Sequence, residues 1–381
     1  MVRKEAGICM VSGRFGLIAL QIALVLTIVQ MFPKTASAQV LAADRWANMY
    51  SIVPRGYVCY RAEKPIVIDG RIDDPSWRYA PWTEYFIDIE GDVKPRPRFR
   101  TQAKMLWDDT YFYVIADMQE PHVWGTLTYH DAIIYNDNDF EIFMDPNSDN
   151  CEYYEMEINA LNAEWDLFLR HTDHDKYPDA SDWEIPGLKT AVHVNGTLND
   201  FTDIDRGWSV EFAIPWAVLG EYAHKAAPPK DGDQWRLNFS RVEWRHELID
   251  GFYRRVKGWR EDNWVWSPQG VINMHSPEKW GYVQFTTGKP GTVQYRPDPT
   301  EPSRMLLNGI YWAQEDNKRI HGRFTGSIED LAVHFYHHDS IVLPPKIELT
   351  GDGYRASVNV KMPDGSQKTL SIGQDSRVIV K

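Results

Sequence analysis

The strongest constraint on the fold is a run of short stretches, from about Tyr57 to Phe285, in which apolar and polar residues alternate. In residues 208–214, every even position is large and apolar, so one face of an extended strand packs inward while Ser209 and Glu211 face out. Gly, Pro, Asn and Asp separate the stretches, as turns require. This pattern predicts an all-β sandwich, jelly-roll-like and mostly antiparallel.

The same alternation predicts the other strands of the sandwich. Asp108-Asp109 lies between two alternating stretches and predicts a hairpin turn. Pro215 ends one strand and opens a short helix over residues 216–219. The remaining predicted strands cover residues 101–107, 111–118, 140–144, 153–160, 165–170, 188–195, 234–243 and 282–285.

The first 38 residues have the features of a signal peptide. Arg3, Lys4 and Arg14 provide positive charge, residues 15–32 are almost wholly apolar, and Ala36-Ser37-Ala38 is a small-residue cleavage pattern. Cleavage near Ala38 predicts a mature chain that starts at Gln39 and is secreted, periplasmic or at the cell surface. Membrane attachment is expected only if this segment stays uncleaved, because the apolar run approaches spanning length.

The rest of the chain divides by composition into four parts. Residues 39–56 form an N-terminal lead-in and residues 57–288 the sandwich. Residues 289–302 are rich in proline and polar residues, which is typical of a linker. Residues 303–381 predict a small α+β unit that acts as a packing or assembly element.

Within this C-terminal unit, apolar residues recur at helical spacing over residues 303–317. Residues 326–331 predict a second short helix with Ser327 as its N-cap. Residues 354–360 and 369–372 alternate as strands, and Asp364-Gly365 predicts a hairpin turn.

Composition and charge narrow the function. Aromatic residues make up 13% of the chain and include 16 Trp, more than one sandwich interior needs, so some are expected to be exposed and used in binding. The formal net charge of −13 argues against a nucleic-acid partner, which requires a basic face. Cys59 and Cys151 permit a single disulfide without demanding one.

Five segments together resemble carbohydrate-binding module family 9, within the wider DOMON-like group of sandwiches that also includes haem-binding domains. In order they are Ile66 to Trp77 (with Asp69-Gly70), Ala103 to Val114, Asn136 to Pro146, Gly207 to Trp216, and Ser276 to Phe285. Their order and spacing cover nearly the whole predicted sandwich.

The resemblance implies that a sugar is gripped between two aromatic rings and held by carboxylate, amide and guanidinium groups. Tyr135 aligns with the first ring and Glu141 with the carboxylate. The second ring position aligns near Met274, the basic position near Glu157, and the amide position near Ser240 or Arg241. These departures imply a different ligand, or that nearby Trp264, Trp266, His275 or Arg241 has taken over.

Each candidate also has a structural interpretation. Glu141 could serve as a structural carboxylate, and Arg241, Glu243 and Arg245 share one strand face as either an ion-pair ladder or a polar groove. Trp259, Trp264 and Trp266 lie in one Gly- and Pro-bounded stretch, residues 258–270. This stretch is the predicted stacking loop, because three indoles in one loop are hard to bury completely.

No cofactor is predicted with certainty, and Ca²⁺ is the one metal ion considered. Asp145, Asn147 and Asp149 place oxygen ligands at alternate positions, as at the start of a calcium loop. The glycine and bidentate Glu expected later in such a loop are missing, so a solvated turn is the favoured interpretation. No residue is predicted to be catalytic.

We therefore predict a secreted, non-catalytic carbohydrate-binding protein. One alternative is a haem-binding electron-transfer sandwich that uses Met and His ligands. Another is a glycoside-active enzyme or the accessory subunit or domain of one, and a third is a structural envelope protein that assembles through its C-terminal unit.

Overall fold

The computed structural model describes residues 48–172, 183–331, 333 and 338–381. The predicted signal peptide, residues 1–38, lies outside the described residues. From Arg45 to Lys381 the chain forms one compact unit. No helix in the described part of the chain combines the length and hydropathy that a membrane span requires.

Eighteen strands and two α-helices have both ends within the described residues, and residues 48–51 are also helical. The strands are β1 (Gly56–Arg61), β2 (Ile87–Asp88), β3 (Thr101–Trp107), β4 (Tyr111–Gln119), β5 (Asp139–Asp145), β6 (Tyr153–Asn159), β7 (Glu164–Leu169), β8 (Lys189–Asn195), β9 (Gly207–Pro215), β10 (Gln234–Glu243), β11 (His246–Ile249), β12 (Phe252–Arg255), β13 (Asp262–Val265), β14 (Gly281–Thr286), β15 (Ile341–Leu349), β16 (Tyr354–Lys361), β17 (Gln367–Gly373) and β18 (Val378–Val380). The helices are α1 (Trp216–Leu219) and α2 (Glu301–His321).

Apart from β11 and β12, which pair only with each other as a separate hairpin, the strands up to β14 form one mixed sheet of twelve strands that folds over on itself. Its order is β7-β6-β5-β10-β14-β1-β3-β4-β9-β8, with β13 pairing to β10 and β2. Pairing is antiparallel except where β1 runs parallel to β14 and β3. The predicted sandwich with a small α+β C-terminal unit is confirmed, and each predicted sandwich strand lies within two residues of an observed one.

The sandwich core lies where the two halves of this sheet face each other. The rings of Phe140 on β5 and Phe212 on β9 meet across the core with centroids 6.1 Å apart. A second aromatic group, Trp216, Trp235 and Phe285, packs edge to face beside them. Because apolar residues alternate along most of each strand, the two inner faces interdigitate as a largely apolar core.

The outer face of β9 is covered, contrary to the expectation that Glu211 and Ser209 face solvent. Glu211 is fully buried under the segment that leads from β1 to β3. Its carboxylate accepts hydrogen bonds from the backbone N–H groups of Asp69 (2.9 Å) and Gly70 (3.1 Å) and from Trp77 Nε1 (2.8 Å). Alternation identifies the two faces of a strand but does not reveal what covers the outer one.

Gly70 is required at this contact. Its φ of +77° lies in the left-handed region, and a Cβ there would lie 2.7 Å from the backbone of His193. The covering segment is therefore fastened to β9 through the Glu211 carboxylate and to β8 through the close backbone approach.

The C-terminal unit packs α2 against the four-stranded sheet β15-β16-β17-β18. It also contacts the sandwich through polar pairs. Arg236 on β10 forms a buried ion pair with Glu301 at the start of α2 (2.6 Å), and Arg377 pairs with Asp149 (3.0 Å).

The prediction of a second C-terminal helix over residues 326–331 is wrong. These residues form turns, within which the Asp330 N–H donates to Ser327 Oγ (3.3 Å). Six residues are too few to nucleate a stable helix without further packing, so the serine caps a turn instead. Cys59 and Cys151 are both free thiols and both buried.

We predict that Glu211→Ala lowers the free energy of unfolding by about 3 kcal/mol, because three buried donors lose their acceptor. Thermal and urea denaturation measure the change. Glu63→Ala, at an exposed position, is the matched control and should leave the midpoint unchanged. A Glu211→Ala protein that melts with the wild type would show that the carboxylate does not fasten the segment.

Candidate binding pocket

A pocket lies on the outer face of the half-sheet formed by β5, β6, β7 and β10. Phe140, Ile142 and Met144 of β5 point into the core, so Glu141 and Phe143 point outward. The cavity has a volume of about 430 Å³, within the range of small-molecule sites. Its lining is Ile89, Tyr135, Glu141, Phe143, Glu155, Glu157, Trp165, Leu167, Leu169, Val242, Arg260, Glu261, Asn263, Ile272, Asn273, Met274 and His275.

Strand register places four side chains in one row across the pocket. Ser240 pairs with Glu141, and Glu141 with Glu157 on β6. Glu157 in turn pairs with Trp165 on β7. Directly paired residues share a face of the sheet, so two carboxylates and an indole are neighbours on the pocket floor.

Tyr135 and Trp165 form an aromatic wall of the pocket. Their ring centroids are 6.4 Å apart at an interplanar angle of 31°, and Tyr135 is 43% exposed. The Tyr135 N–H donates to Glu157 (2.8 Å), and its carbonyl accepts from Trp244 Nε1 (2.8 Å). To hold a sugar between them, two facing rings must lie about 7–8 Å apart, which is twice a van der Waals contact. The Tyr135 and Trp165 rings are closer than this, so they form adjacent parts of one surface and do not enclose a sugar.

The loop around residues 272–275 forms another side of the pocket and is anchored from behind. Trp280 Nε1 donates to the Met274 carbonyl (2.9 Å), and Gln269 Nε2 donates to the Asn273 carbonyl (2.8 Å). His275 Nδ1 lies 2.9 Å from the Tyr153 hydroxyl. Met274 and His275 are therefore held at the cavity by hydrogen bonds to the residues beneath them.

Three carboxylates cluster at the floor and beside it, since Glu141 and Glu157 line the cavity whereas Asp139 does not. One oxygen from each of Asp139, Glu141 and Glu157 lies within 4.8 Å of the others, and all three side chains are buried. Burial raises the pKa of Glu141 to about 7. Burial, together with the neighbouring Glu141 carboxylate, raises the pKa of Asp139 and of Glu157 well above the usual range.

Of the predicted site residues, Tyr135, Glu141 and His275 line this pocket together. Met274 and Glu157, at two of the altered positions, line it as well. Trp264 and Trp266 do not, because they are 3% and 0% exposed and belong to the sandwich core.

The expectation that the 258–270 stretch exposes its indoles is therefore wrong for those two residues. Strand β13 inserts between β10 and β2, and this pairing buries the side chains at its end. Trp259 is 54% exposed but lies outside the pocket lining.

Arg241 also lies away from the pocket lining, in a buried ion network. Its Nη2 atom is 2.8 Å from both Glu120 and Glu243, and Nη1 donates to Thr101 (3.0 Å). Its guanidinium lies over the Trp264 ring at 5.3 Å. This strand face was expected to form either an ion-pair ladder or a polar groove. Arg241 and Glu243 form an ion pair, and both side chains are fully buried.

The turn over Asp145, Asn147 and Asp149 satisfies its own oxygens. Asp145 accepts from the N–H groups of Ser148 and Asn150, and Asn147 accepts from that of Asp149. Asp149 accepts from the Cys151 N–H and also pairs with Arg377. These side chains stabilise the turn, which is largely buried and not solvated as expected, since Asp145 is fully buried.

Sequence reasoning placed Trp165 in a strand but did not assign it to the site, and it did not single out Asp139. Both follow from strand register. Once β5 and β6 pair antiparallel, Glu157 falls opposite Glu141, and the next pairing brings Trp165 alongside. The lengths of the turns between these strands could have predicted this register from the sequence.

The fold and pocket together define a β-sandwich binding domain with an aromatic and acidic pocket on one outer face. The sequence model of the family described as "Carbohydrate family 9 binding domain-like" matches residues 68–286, more than half of the chain. The chain belongs to this family.

Curated relatives share only part of their length with this chain. The exoglucanase XynX of Acetivibrio thermocellus is 28% identical over 153 residues, which are 40% of this chain and 12% of the relative. The endo-1,4-beta-xylanase A of Thermoanaerobacterium saccharolyticum is 26% identical over 153 residues, 40% of this chain and 11% of the relative. The chain thus spans about a tenth of the length of either relative.

Solved structures of similar fold have low sequence identity to this chain. A family 9 carbohydrate-binding module of Caldicellulosiruptor kristjanssonii, in complex with cellotriose, aligns with a TM-score of 0.42 at 16% identity, covering 64% of this chain and all of that one. A carbohydrate-binding protein of Bacteroides uniformis aligns with a TM-score of 0.45 at 15% identity, covering 61% of this chain and all of that one.

We predict that Glu141→Gln changes the pH dependence of stability. The folded-state pKa of Glu141, about 7, lies above its ordinary value of 4.5, so the wild type loses stability as pH rises through this interval. In buffer with a chelator, the variant should match the wild type near pH 5. It should exceed the wild type near pH 8 by on the order of 2 kcal/mol, because a neutral amide replaces a buried charge.

Thermal denaturation from pH 5 to 8 measures this difference. Glu63→Gln is the matched control and should follow the wild-type curve. Parallel curves for Glu141→Gln and the wild type across the whole range would contradict a raised pKa at this carboxylate.

Proposed function

We propose that the protein binds carbohydrate in this pocket without acting on it chemically. The observation that supports this most directly is the register row that places Glu141 and Glu157 beside Trp165, with Tyr135 against the same floor. Membership of the family supports the same ligand class.

The pocket presents the two kinds of surface that a sugar requires. The exposed faces of Tyr135 and Trp165 suit stacking against the C–H face of a pyranose ring. The carboxyl groups of Glu141 and Glu157 can form hydrogen bonds with sugar hydroxyl groups, as acceptors when ionised and also as donors when protonated. One wall therefore provides contact area while the floor provides orientation.

The charge of the pocket favours a neutral ligand. Glu141, Glu155, Glu157 and Glu261 line it, whereas Arg260 is the one Lys or Arg side chain among its described lining residues. An acidic sugar would bring its carboxylate toward this floor and be repelled. Because the curated relatives are named as xylanases and an exoglucanase, neutral xylo- and cello-oligosaccharides are the first ligands to test.

Replacing either ring of the wall tests the site. Tyr135→Ala and Trp165→Ala should each weaken oligosaccharide binding at least about tenfold, since stacked aromatic contacts in binding sites contribute on the order of 1–2 kcal/mol. Isothermal titration of the full chain against xylotetraose and cellotetraose measures the change. Trp259→Ala, which removes an exposed indole outside the pocket, is the matched control and should bind as the wild type does.

The proposal fails if the wild type binds no member of the panel, or if Trp259→Ala loses binding while both wall variants retain it. In calcium-free buffer, oligogalacturonate should bind more weakly than the neutral sugars. Incubation of wild-type protein with each oligosaccharide should release no shorter product. Hydrolysis that disappears in Glu141→Gln would contradict the non-catalytic role.

We also propose that the protein is exported and loses its signal peptide, on the basis of the charged start, the apolar run and Ala36-Ser37-Ala38. N-terminal sequencing of protein expressed in a host with a secretory pathway should find Gln39 as the first residue. Recovery of a chain that retains the apolar run, bound to membranes, would contradict cleavage.

A further inference from the structure

The carboxylate cluster at the pocket floor is more acidic than hydrogen bonding to a neutral ligand requires. Glu141 and Glu157 lie directly opposite each other on paired strands, and like charges in that position destabilise a sheet. Asp139 lies two residues from Glu141 on the same face and is fully buried. Three buried carboxylates so close together are costly when ionised, unless protons or a bound cation compensate their charge.

Two oxygens of the cluster make no hydrogen bond of normal geometry with the described residues. Asp139 Oδ1 accepts from the Val242 N–H (3.1 Å), but Asp139 Oδ2 is buried without a partner. Glu141 Oε2 likewise makes no hydrogen bond of normal geometry, although the Ser240 hydroxyl faces this carboxylate from β10, and Glu141 is only 4% exposed. Buried acceptors are almost always satisfied, so two such oxygens at one place indicate a missing ligand.

The spacing of the cluster matches one metal ion. Calcium binds oxygens at about 2.3–2.6 Å, so two ligands of the same ion lie no more than about 5 Å apart. One oxygen each from Asp139, Glu141 and Glu157 meets this limit, since all three lie within 4.8 Å of one another. The donors are all carboxylate oxygens, with no Cys or His among them, which suits a hard cation rather than zinc or copper.

We propose that Asp139, Glu141 and Glu157 bind a calcium ion at the floor of the pocket. The ion neutralises the like-charged pair across β5 and β6 and supplies the positive charge that the floor lacks. Three protein oxygens leave calcium short of its usual six to eight ligands, so its remaining positions face the cavity. That ligand hydroxyl groups occupy these positions is a further step, which rests on the carbohydrate-binding proposal.

A second group of ligand-type residues, His130, Asp131 and Glu184, is a weaker candidate. All three residues are exposed, and His130 Nε2 lies 3.1 Å from Glu184 Oε2, so the imidazole itself compensates the carboxylate. This group provides a matched control for the floor cluster, because it has similar residue types and lies outside the pocket lining.

The test is isothermal titration of the full chain with CaCl₂, without sugar, after treatment with EDTA and dialysis into metal-free buffer near pH 8. We expect saturable binding of one ion that depends on the floor cluster, together with a rise in melting temperature. Glu141→Gln and Glu157→Gln should each weaken calcium binding at least about tenfold, as loss of one charged ligand requires. Glu184→Gln should bind calcium as the wild type does.

Melting curves in EDTA show whether the variants remain folded, so lost calcium binding can be separated from lost structure. Absence of saturable binding by the wild type up to about 10 mM CaCl₂, beyond the range of weak extracellular calcium sites, would overturn the proposal. So would calcium binding that survives in both floor variants or disappears in Glu184→Gln. If calcium binds as expected but no oligosaccharide does, the cation site stands and only the carbohydrate proposal fails.

Discussion

The structure depends on the packing of two apolar sheet faces against each other. Phe140 and Phe212 meet across that interface. Alternate residues along each of their strands therefore also point into the core. Once the inner faces are set, the outward positions are set as well. Glu141 and Glu157 lie on the outer face of the sheet because Ile142 and Met156 occupy the core, so the acidic floor of the pocket is a direct consequence of the hydrophobic register.

Most of the sandwich could be predicted from the sequence because alternation and turn residues are local signals. The strands at 101–107, 111–119 and 207–215 show this, since each has clear alternation between turn formers. Tyr135, Glu141 and His275, which were singled out from the sequence, line one pocket. The pairing partners of a strand are not local, and they decide what is buried. Trp264 and Trp266 appeared available because three indoles lie in one Gly- and Pro-bounded stretch, yet the pairing of β13 with β10 and β2 leaves both rings buried in the core.

The same limit explains Arg241 and Trp165. Arg241 was a candidate for contacting a polar ligand. Glu120, which follows β4 in the chain, instead reaches it across the sandwich, and the two side chains form a buried ion pair. Trp165 appeared to be an ordinary strand residue until two successive pairings brought it beside Glu157. The charge at the floor follows from the same geometry. Three carboxylates separated by up to 18 residues become neighbours only when β5 and β6 pair. Their spacing in the sequence therefore did not indicate that a cation could neutralise their charge.

The central claim is that ligand binds against the wall formed by Tyr135 and Trp165 and not against the indoles of residues 258–270. Heteronuclear NMR of protein labelled with ¹⁵N at tryptophan tests this directly, with the indole signals assigned by single Trp→Phe variants. On titration with a bound oligosaccharide, the Trp165 indole signal should shift progressively while those of the buried Trp264 and Trp266 stay in place. Shifts confined to Trp264 or Trp266, with Trp165 unmoved, would contradict the account.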